Sequence, residues 1–312
     1  MNTYLKKQKI IIDTDPGHDD ALAIILAEKS KIFNIMAITT VAGNSTIQNT
    51  TNNARFILDL IDSDTKLYSG AKKPLKQELI QAVVHGDSGL DGIKIAKQEK
   101  LTNEATNKII QIIKNNPKEV TILALGPLTN IAQAFTKEPS IIPLIKEVII
   151  MGGAINVPGN KNRVAEFNLF VDPEAADIVF KTNIKKVLVP LDLCNSVFFS
   201  LKDFEKLKGT SLCQPVYSMM EKYIKGIYTF ERTKGAIMYD PVAAYFLINP
   251  LAFTITEMDV QIETQGNLTR GMTVADKRLW GAKKMNVLVT QSLDKNQFKK
   301  DFFEIFSDKF NK

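Results

Sequence analysis

The sequence predicts one α/β domain, a doubly wound and mostly parallel central sheet with extra helices in its C-terminal third. Three observations carry that prediction. Short Ile/Val/Leu runs alternate with longer segments of helical period through the first two thirds of the chain. The runs are nearly continuous in apolar residues, as strands covered on both faces are. No shift in composition divides the 312 residues, so a single domain over 1–312 is expected.

"KIIID" (9–13) reads as the first strand, because its consecutive isoleucines leave no polar face. Pro16-Gly17 makes a turn, and the helix expected over 18–28 then opens with Asp19 and Asp20 at its positive end. "IMAITTV" (35–41) is the second strand and 46–62 its following helix. The same rhythm gives a helix over 103–115, a strand at "VTILAL" (120–125), a helix over 128–137 and a strand at "EVIIMGG" (147–153). Asp172-Pro173, an N-cap followed by proline at the first helical position, opens a helix over 173–181. "KKVLVPLDL" (185–193) reads as a further strand. After 195 the rhythm changes: helices at 201–207 and 212–230, a third opening at "DPVAAYFL", two late strands, and a C-terminal helix from 295.

Composition narrows the function classes. The net charge of +6 comes from lysines spread along the chain, and the densest patch, "LKKQK" (5–9), is short. A solvated surface explains it better than a nucleic-acid footprint. No run approaches the roughly 18 apolar residues of a membrane span. The opening "MNTYLKKQKIIIDTD" is no secretory signal, since its apolar run is brief and ends in aspartates. Cys194 and Cys213 show no metal-binding spacing and fit a reducing cytoplasm. The expected partner is a small molecule, with no nucleic acid and no membrane.

The chemistry concentrates where the first strand meets the first helix. Asp13, Asp15, Asp19 and Asp20 fall within eight residues. Helix capping accounts for one or two of them, not four. Like charges so close raise one another's pKa unless a cation offsets them, which points to a metal site. Oxygen ligands with no nearby His or Cys pair favour Ca²⁺ or Mg²⁺ over Zn²⁺. An EF-hand is excluded, because its twelfth position is Ile24. No phosphate-cradling glycine loop occurs. The pair Asp13 and Asp15 also resembles the D-x-D start of haloacid-dehalogenase phosphatases, with "GDSGLD" (86–91) as a later acidic motif. Gly17 and the unexplained Asp19-Asp20 pair argue against that Mg²⁺-dependent alternative. A serine nucleophile at Ser88 fails too: Leu90 stands where G-x-S-x-G needs glycine, and no histidine follows His85.

Polar residues elsewhere could complete a site. Asn44 ends "TTVAGN", either as a loop cap or as a ligand contact. In "GNKNRVAEFN" (159–168), Glu166 and Asn168 share a face if extended, with Asn160 upstream. That set is either a polar loop or a recogniser of several hydroxyls, as in a sugar. Asp240-Pro241 is either another cap or a ligand. Tyr223, Tyr228 and Phe230 are spaced for packing or for lining a flat ligand. Of the two histidines, His85 is the better candidate for chemistry, while His18 fits a turn.

Together these residues resemble the nucleoside hydrolase family, the inosine-uridine-preferring nucleoside N-ribohydrolases. "DTDPGHDDA" matches the family's N-terminal motif. The likeness continues in order through "ITTVAGN", "HGDSGL", "LGPLTNIA", "VIIMGGA", "GN…AEFN", "DPEAA" and "YDP", over nearly the whole chain. The resemblance implies hydrolysis of the N-glycosidic bond of ribonucleosides to free base and ribose. It implies one Ca²⁺ held by Asp15, Asp20, Asp240 and the backbone carbonyl of Leu125. Asp15 would be the general base acting on a metal-bound water. Asp19 and Asn168 would hold the ribose 2′- and 3′-hydroxyls, Asn160 and Glu166 the 5′ side, and Asn44 ribose and water. Asp13 would steady the loop from behind. A homodimer or homotetramer is also implied.

The chain departs from the family at one position, where Tyr239 stands in place of a histidine linked to leaving-group protonation. Tyrosine is the weaker donor at neutral pH. The proton then comes from Tyr239 with neighbours such as Tyr228, from His85, or from water, unless the leaving group needs little help. The histidine form of the "HDD" motif tilts the expectation toward uridine or cytidine over inosine. A nucleoside-binding protein that lost turnover at Tyr239 is the non-enzymatic alternative.

Overall fold

The computed structural model describes residues 7–233 and 235–310, without the side chains of Phe230 and Glu231. The side chain of Phe230 and part of the "LKKQK" patch therefore lie outside what is described. In chain order the first half contains β1 (Gln8–Thr14), α1 (His18–Lys29), β2 (Phe33–Thr40), α2 (Ile47–Leu60), β3 (Leu67–Ser69), α3 (Ala105–Asn115), β4 (Val120–Ala124), α4 (Thr129–Lys137) and β5 (Glu147–Met151). Then come α5 (Phe167–Val171), α6 (Pro173–Phe180), β6 (Lys186–Val189), α7 (Leu191–Cys194), β7 (Phe198–Phe199), α8 (Cys213–Glu231), β8 (Ala236–Ile237) and α9 (Tyr239–Ile248). The chain closes with β9 (Phe253–Met258), β10 (Val260–Ile262), β11 (Thr273–Ala275), β12 (Val287–Leu293) and α10 (Lys295–Phe306).

Eight strands form one sheet in the order β3-β2-β1-β4-β5-β6-β12-β9. All its pairings are parallel except that of the edge strand β9. This is the doubly wound architecture expected from the alternating runs. β1 shows why such runs carry no polar face: Ile10 and Ile12 enter the core on one side of the sheet and Ile11 the core on the other. α1 is buried from His18 to Ala27, and α9 is buried nearly throughout. Their all-round apolar sequences suit two helices packed against each other in a core.

Several boundaries differ from the sequence reading. The strand read over 185–193 ends at Val189, because Pro190 cannot donate to a ladder and instead enters the short α7. The strand read over 147–153 ends at Met151, where Gly153 takes a left-handed φ of 82°. The segment 201–207 is a 3₁₀ helix. More than two late strands follow: β9 and β12 extend the sheet, while β10 and β11 form a separate ribbon. No helix among the described residues is long and apolar enough to cross a membrane.

The strand order reverses between β1 and β4. In open α/β sheets ligands bind outside the carboxyl ends of the strands at such a switch point. Asp15 follows β1 directly, and Leu125 follows β4.

Candidate active site

β1 delivers the aspartates and its neighbours hold them. Asp13 lies opposite Thr39 of β2 and Ala124 of β4. Its Oδ1 accepts from Thr39 Oγ1 and from Asn130 Nδ2 at 2.8 Å. Asn130 also donates to the Thr40 carbonyl and accepts from Ala71 N, so it bridges three strands' ends. Burial pushes the Asp13 carboxyl up to about 7 despite these bonds.

Asp15 sits just past the strand, wedged between two glycines. Its Oδ2 accepts from Asn44 N at 2.6 Å. A methyl group on Gly43 would lie 2.1 Å from Oδ2, and one on Gly126 would lie 2.5 Å from Oδ1. Asp20 closes the turn as the third helical residue of α1. Its Oδ2 accepts from Gly17 N at 2.9 Å and from Asn44 Nδ2 at 3.1 Å, and its Oδ1 from Thr14 Oγ1. Capping is therefore part of what Asp20 does.

Asp240 is not the helix cap that its sequence suggested. α9 begins one residue earlier, at Tyr239, with Met238 at the cap position and no side-chain cap. The packing of α1 against α9 instead turns Asp240 toward Asp20, and the two carboxylates share a hydrogen bond. Burial and the neighbouring carboxylates of Asp20, Asp19 and Asp15 push the Asp240 carboxyl well up. The same causes raise Asp15 and Asp19.

Carboxylate oxygens of Asp19, Asp20 and Asp240 lie within 4.8 Å of one another. Asp15 Oδ1 and Asp19 Oδ1 are buried without a hydrogen-bond partner. Buried anions with unsatisfied oxygens are costly, and a hard cation among them offsets that cost. The residues present thus fit a divalent, oxygen-preferring ion. Asp15 lies beside this set, its carboxyl raised by the charges of Asp20 and Asp19 and itself raising Asp240. The Leu125 carbonyl, read as a metal ligand, accepts from Asn168 Nδ2 at 2.6 Å.

A cavity of about 400 Å³ opens over this cluster. Asp19, Asn44, Leu125, Asn168 and Asp240 line it. So do Val84, His85, Tyr223, Ile227 and Tyr239, with His85 and Tyr223 stacked on each other. Asn160, Lys161, Glu166 and Phe167 complete the lining, with Lys161 Nζ over the Phe167 ring. Glu166 caps α5, accepting from Asn168 N and Leu169 N, and also takes Gly153 N. Asn160 Oδ1 accepts from Phe167 N.

Tyr228 does not reach the cavity. The helical period of α8 turns Tyr223 and Ile227 inward and leaves Tyr228 exposed, with its ring under Arg232. His18 is not a turn residue but the first residue of α1. Its ring stacks on His85 and Tyr223 with centroids 5.2–5.3 Å away, and its Nδ1 lies 3.0 Å from His85 Nδ1. His85 Nε2 stands 3.9 Å from Asp19 Oδ1, and burial lowers the pKa of both imidazoles. "GDSGLD" forms a turn in which Asp91 accepts from Ser88, so it adds no acid to the cluster.

Residues that the sequence left unmarked also build the site. Gly43 and Gly126 each follow a strand of the central sheet within three residues, and that repeated glycine was the available signal. Thr39, Asn130 and Lys161 carried no such signal.

The profile of the family described as inosine-uridine preferring nucleoside hydrolase matches residues 10–300. A relative from Salmonella newport (strain SL254), named pyrimidine-specific ribonucleoside hydrolase RihA, is 36% identical over 298 residues, 93% of this chain and 95% of that protein. A solved plant nucleoside hydrolase superposes with a TM-score of 0.89 at 30% identity, covering 96% of this chain and 99% of its own. A purine-preferring ribonucleoside hydrolase from Gardnerella vaginalis gives 0.88 at 28% identity, covering 97% and 99%.

Proposed function

The chain belongs to the inosine-uridine preferring nucleoside hydrolase family, ribonucleoside N-glycosidases, and from that premise we propose a calcium-dependent hydrolase that takes uridine or cytidine ahead of inosine. The observation that carries this reading is the buried convergence of aspartates, with unpartnered oxygens, at the sheet's switch point. Asp15, Asp20, Asp240 and the Leu125 carbonyl would hold the ion, with Asp19 beside them. Such an ion would supply positive charge that lowers the pKa of a water and offsets the carboxylates around it.

Asp15 is the general base. Its carboxyl is raised by burial and by Asp20, the direction that strengthens a base. Asn44 N orients it through one oxygen and leaves the other without a partner. Asp19 and Asn168 take the 2′- and 3′-hydroxyls, and Asn160 and Glu166 face the 5′ side. Asn44 places ribose and water from the floor, and Asp13 holds the loop from behind. As the C1′–N bond lengthens, positive charge grows on the sugar, and the surrounding carboxylates favour it.

The base leaves along the wall of His85, Tyr223, Ile227 and Tyr239. Tyr239 supplies the proton, with His85 as the second candidate, since both line the cavity. Tyr228 drops out of that role because it is exposed. The pyrimidine preference is supported by the name of the Salmonella relative. The setting proposed is nucleoside salvage in the cytoplasm, as a homodimer or homotetramer.

The test is a panel of purine and pyrimidine ribonucleosides assayed for free ribose, with and without chelator. Uridine or cytidine should give the fastest release, chelation should abolish it and calcium restore it. Asp15→Asn should lower turnover by several orders of magnitude with the fold retained. Near-normal turnover in that variant would remove Asp15 as the base.

A further inference from the structure

α8 carries a single glycine, Gly226, inside the helix rather than at either end. Glycine is a poor helix former, and residue 226 has no left-handed φ that would call for it. A neighbour calls for it instead. A Cβ at residue 226 would lie 2.5 Å from the carbonyl oxygen of Val84, a backbone atom that cannot swing aside. About two turns earlier on the same helix, a Cβ on Gly92 would lie 2.5 Å from the Ser218 carbonyl oxygen. The segment from Val84 to Gly92 is thus held against α8 by close backbone approach at both of its ends. Between those two points the His85 ring stacks on Tyr223, with centroids 5.4 Å apart.

Both partners in this contact line the cavity: Val84 and His85 from the connection between β3 and α3, Tyr223 and Ile227 from α8. Gly226 does not line it. In the ribonucleoside reading above, on which this inference rests, the base lies against His85, Tyr223 and Ile227. The room left for the base then depends on how closely Val84 and His85 approach α8. The missing Cβ of residue 226 sets that approach.

We propose that Gly226 is a positioning residue for base choice: by admitting the Val84 carbonyl against α8 it keeps the base site close, to the advantage of a one-ring pyrimidine over a two-ring purine. A methyl group at 226 must move Val84, with His85 beside it, away from α8 by about 1 Å before ordinary contact is restored.

The test measures kcat/KM for uridine and for inosine, by ribose release, on the full-length enzyme in calcium buffer. Wild type should favour uridine. Gly226→Ala should raise the inosine-to-uridine ratio about tenfold, the lower end of what one methylene is worth in a substrate pocket. Lys225→Ala, at an exposed position on the same helix, should leave the ratio unmoved. Val84→Ala opens the same space without touching the helix and should raise the ratio in the same direction. An unmoved ratio in Gly226→Ala overturns the proposal, as does an unmoved ratio in Val84→Ala where Gly226→Ala does not fold. A wild type that favours inosine removes the pyrimidine preference along with the proposal. One that releases ribose from neither nucleoside removes the ribonucleoside reading itself, so the three failures are told apart.

Discussion

Gly43→Ala tests whether Asp15 works from the place where the fold holds it. Residue 43 does not have a left-handed φ, so alanine meets no backbone obstacle. The added methyl carbon would lie 2.1 Å from Asp15 Oδ2 and 2.8 Å from Pro127 Cδ, whereas ordinary contact begins at 3.4 Å. Pro127 packs on one side and Gly126 closes the other, so the carboxylate must yield by more than about 1 Å. That movement breaks the 2.6 Å bond from Asn44 N, a charge-assisted contact worth about 1.5–3 kcal/mol. It also takes the base off its line to the reacting carbon, and a misplacement of about 1 Å costs roughly 100-fold. Ribose release from uridine should therefore show kcat down about 100-fold, with a folded protein by circular dichroism. Because the effect runs through Asp15, the double variant with Asp15→Asn should be no slower than Asp15→Asn alone. Wild-type kcat in Gly43→Ala, or additive losses in the double variant, would refute the reasoning.

Tyr239→Phe should lower kcat on uridine about 100-fold and affect an activated aryl riboside far less, as loss of a leaving-group acid does. If kcat on uridine holds in Tyr239→Phe and falls in His85→Ala, the acid is His85. Asn130→Ala leaves Ala71 N, the Thr40 carbonyl and Asp13 short of partners, and should cost about 2–4 kcal/mol in urea unfolding. Burial lowers the His18 pKa from 6.5 to about 4, so the folded protein resists a proton that the unfolded chain accepts. Relative to His18→Phe, metal-free wild type should lose about 3 kcal/mol of stability as pH falls from 6.5 to 4, with no such loss above pH 6.5. A pH-independent difference between the two would show that His18 is not held neutral.

Local pattern carried the fold. The short, β-branched Ile/Val runs bounded by turns read as strands with both faces covered, and "KIIID" does place its isoleucines in two cores. Boundaries set by one residue's chemistry were harder. Pro190 and Gly153 end strands whose apolar sequence continues past them, and periodicity is blind to a missing N–H or a left-handed φ. The small ribbon of β10 and β11 was also missed, since three-residue strands leave no period to read.

By itself, then, the sequence determined the sheet, the crowding of Asp13, Asp15, Asp19 and Asp20 at its first strand end, and the family whose motifs run the length of the chain. These are properties of neighbours along the chain, which spacing and charge expose. The tertiary structure decided which carboxylates meet. Asp240 lies 220 positions from Asp20 in sequence, and only the packing of α1 on α9 sets them side by side. It also decided that Asp19 comes close to that pair and that Tyr223 rather than Tyr228 lines the cavity. Each of those outcomes depends on which way a side chain points once a distant element has packed against it.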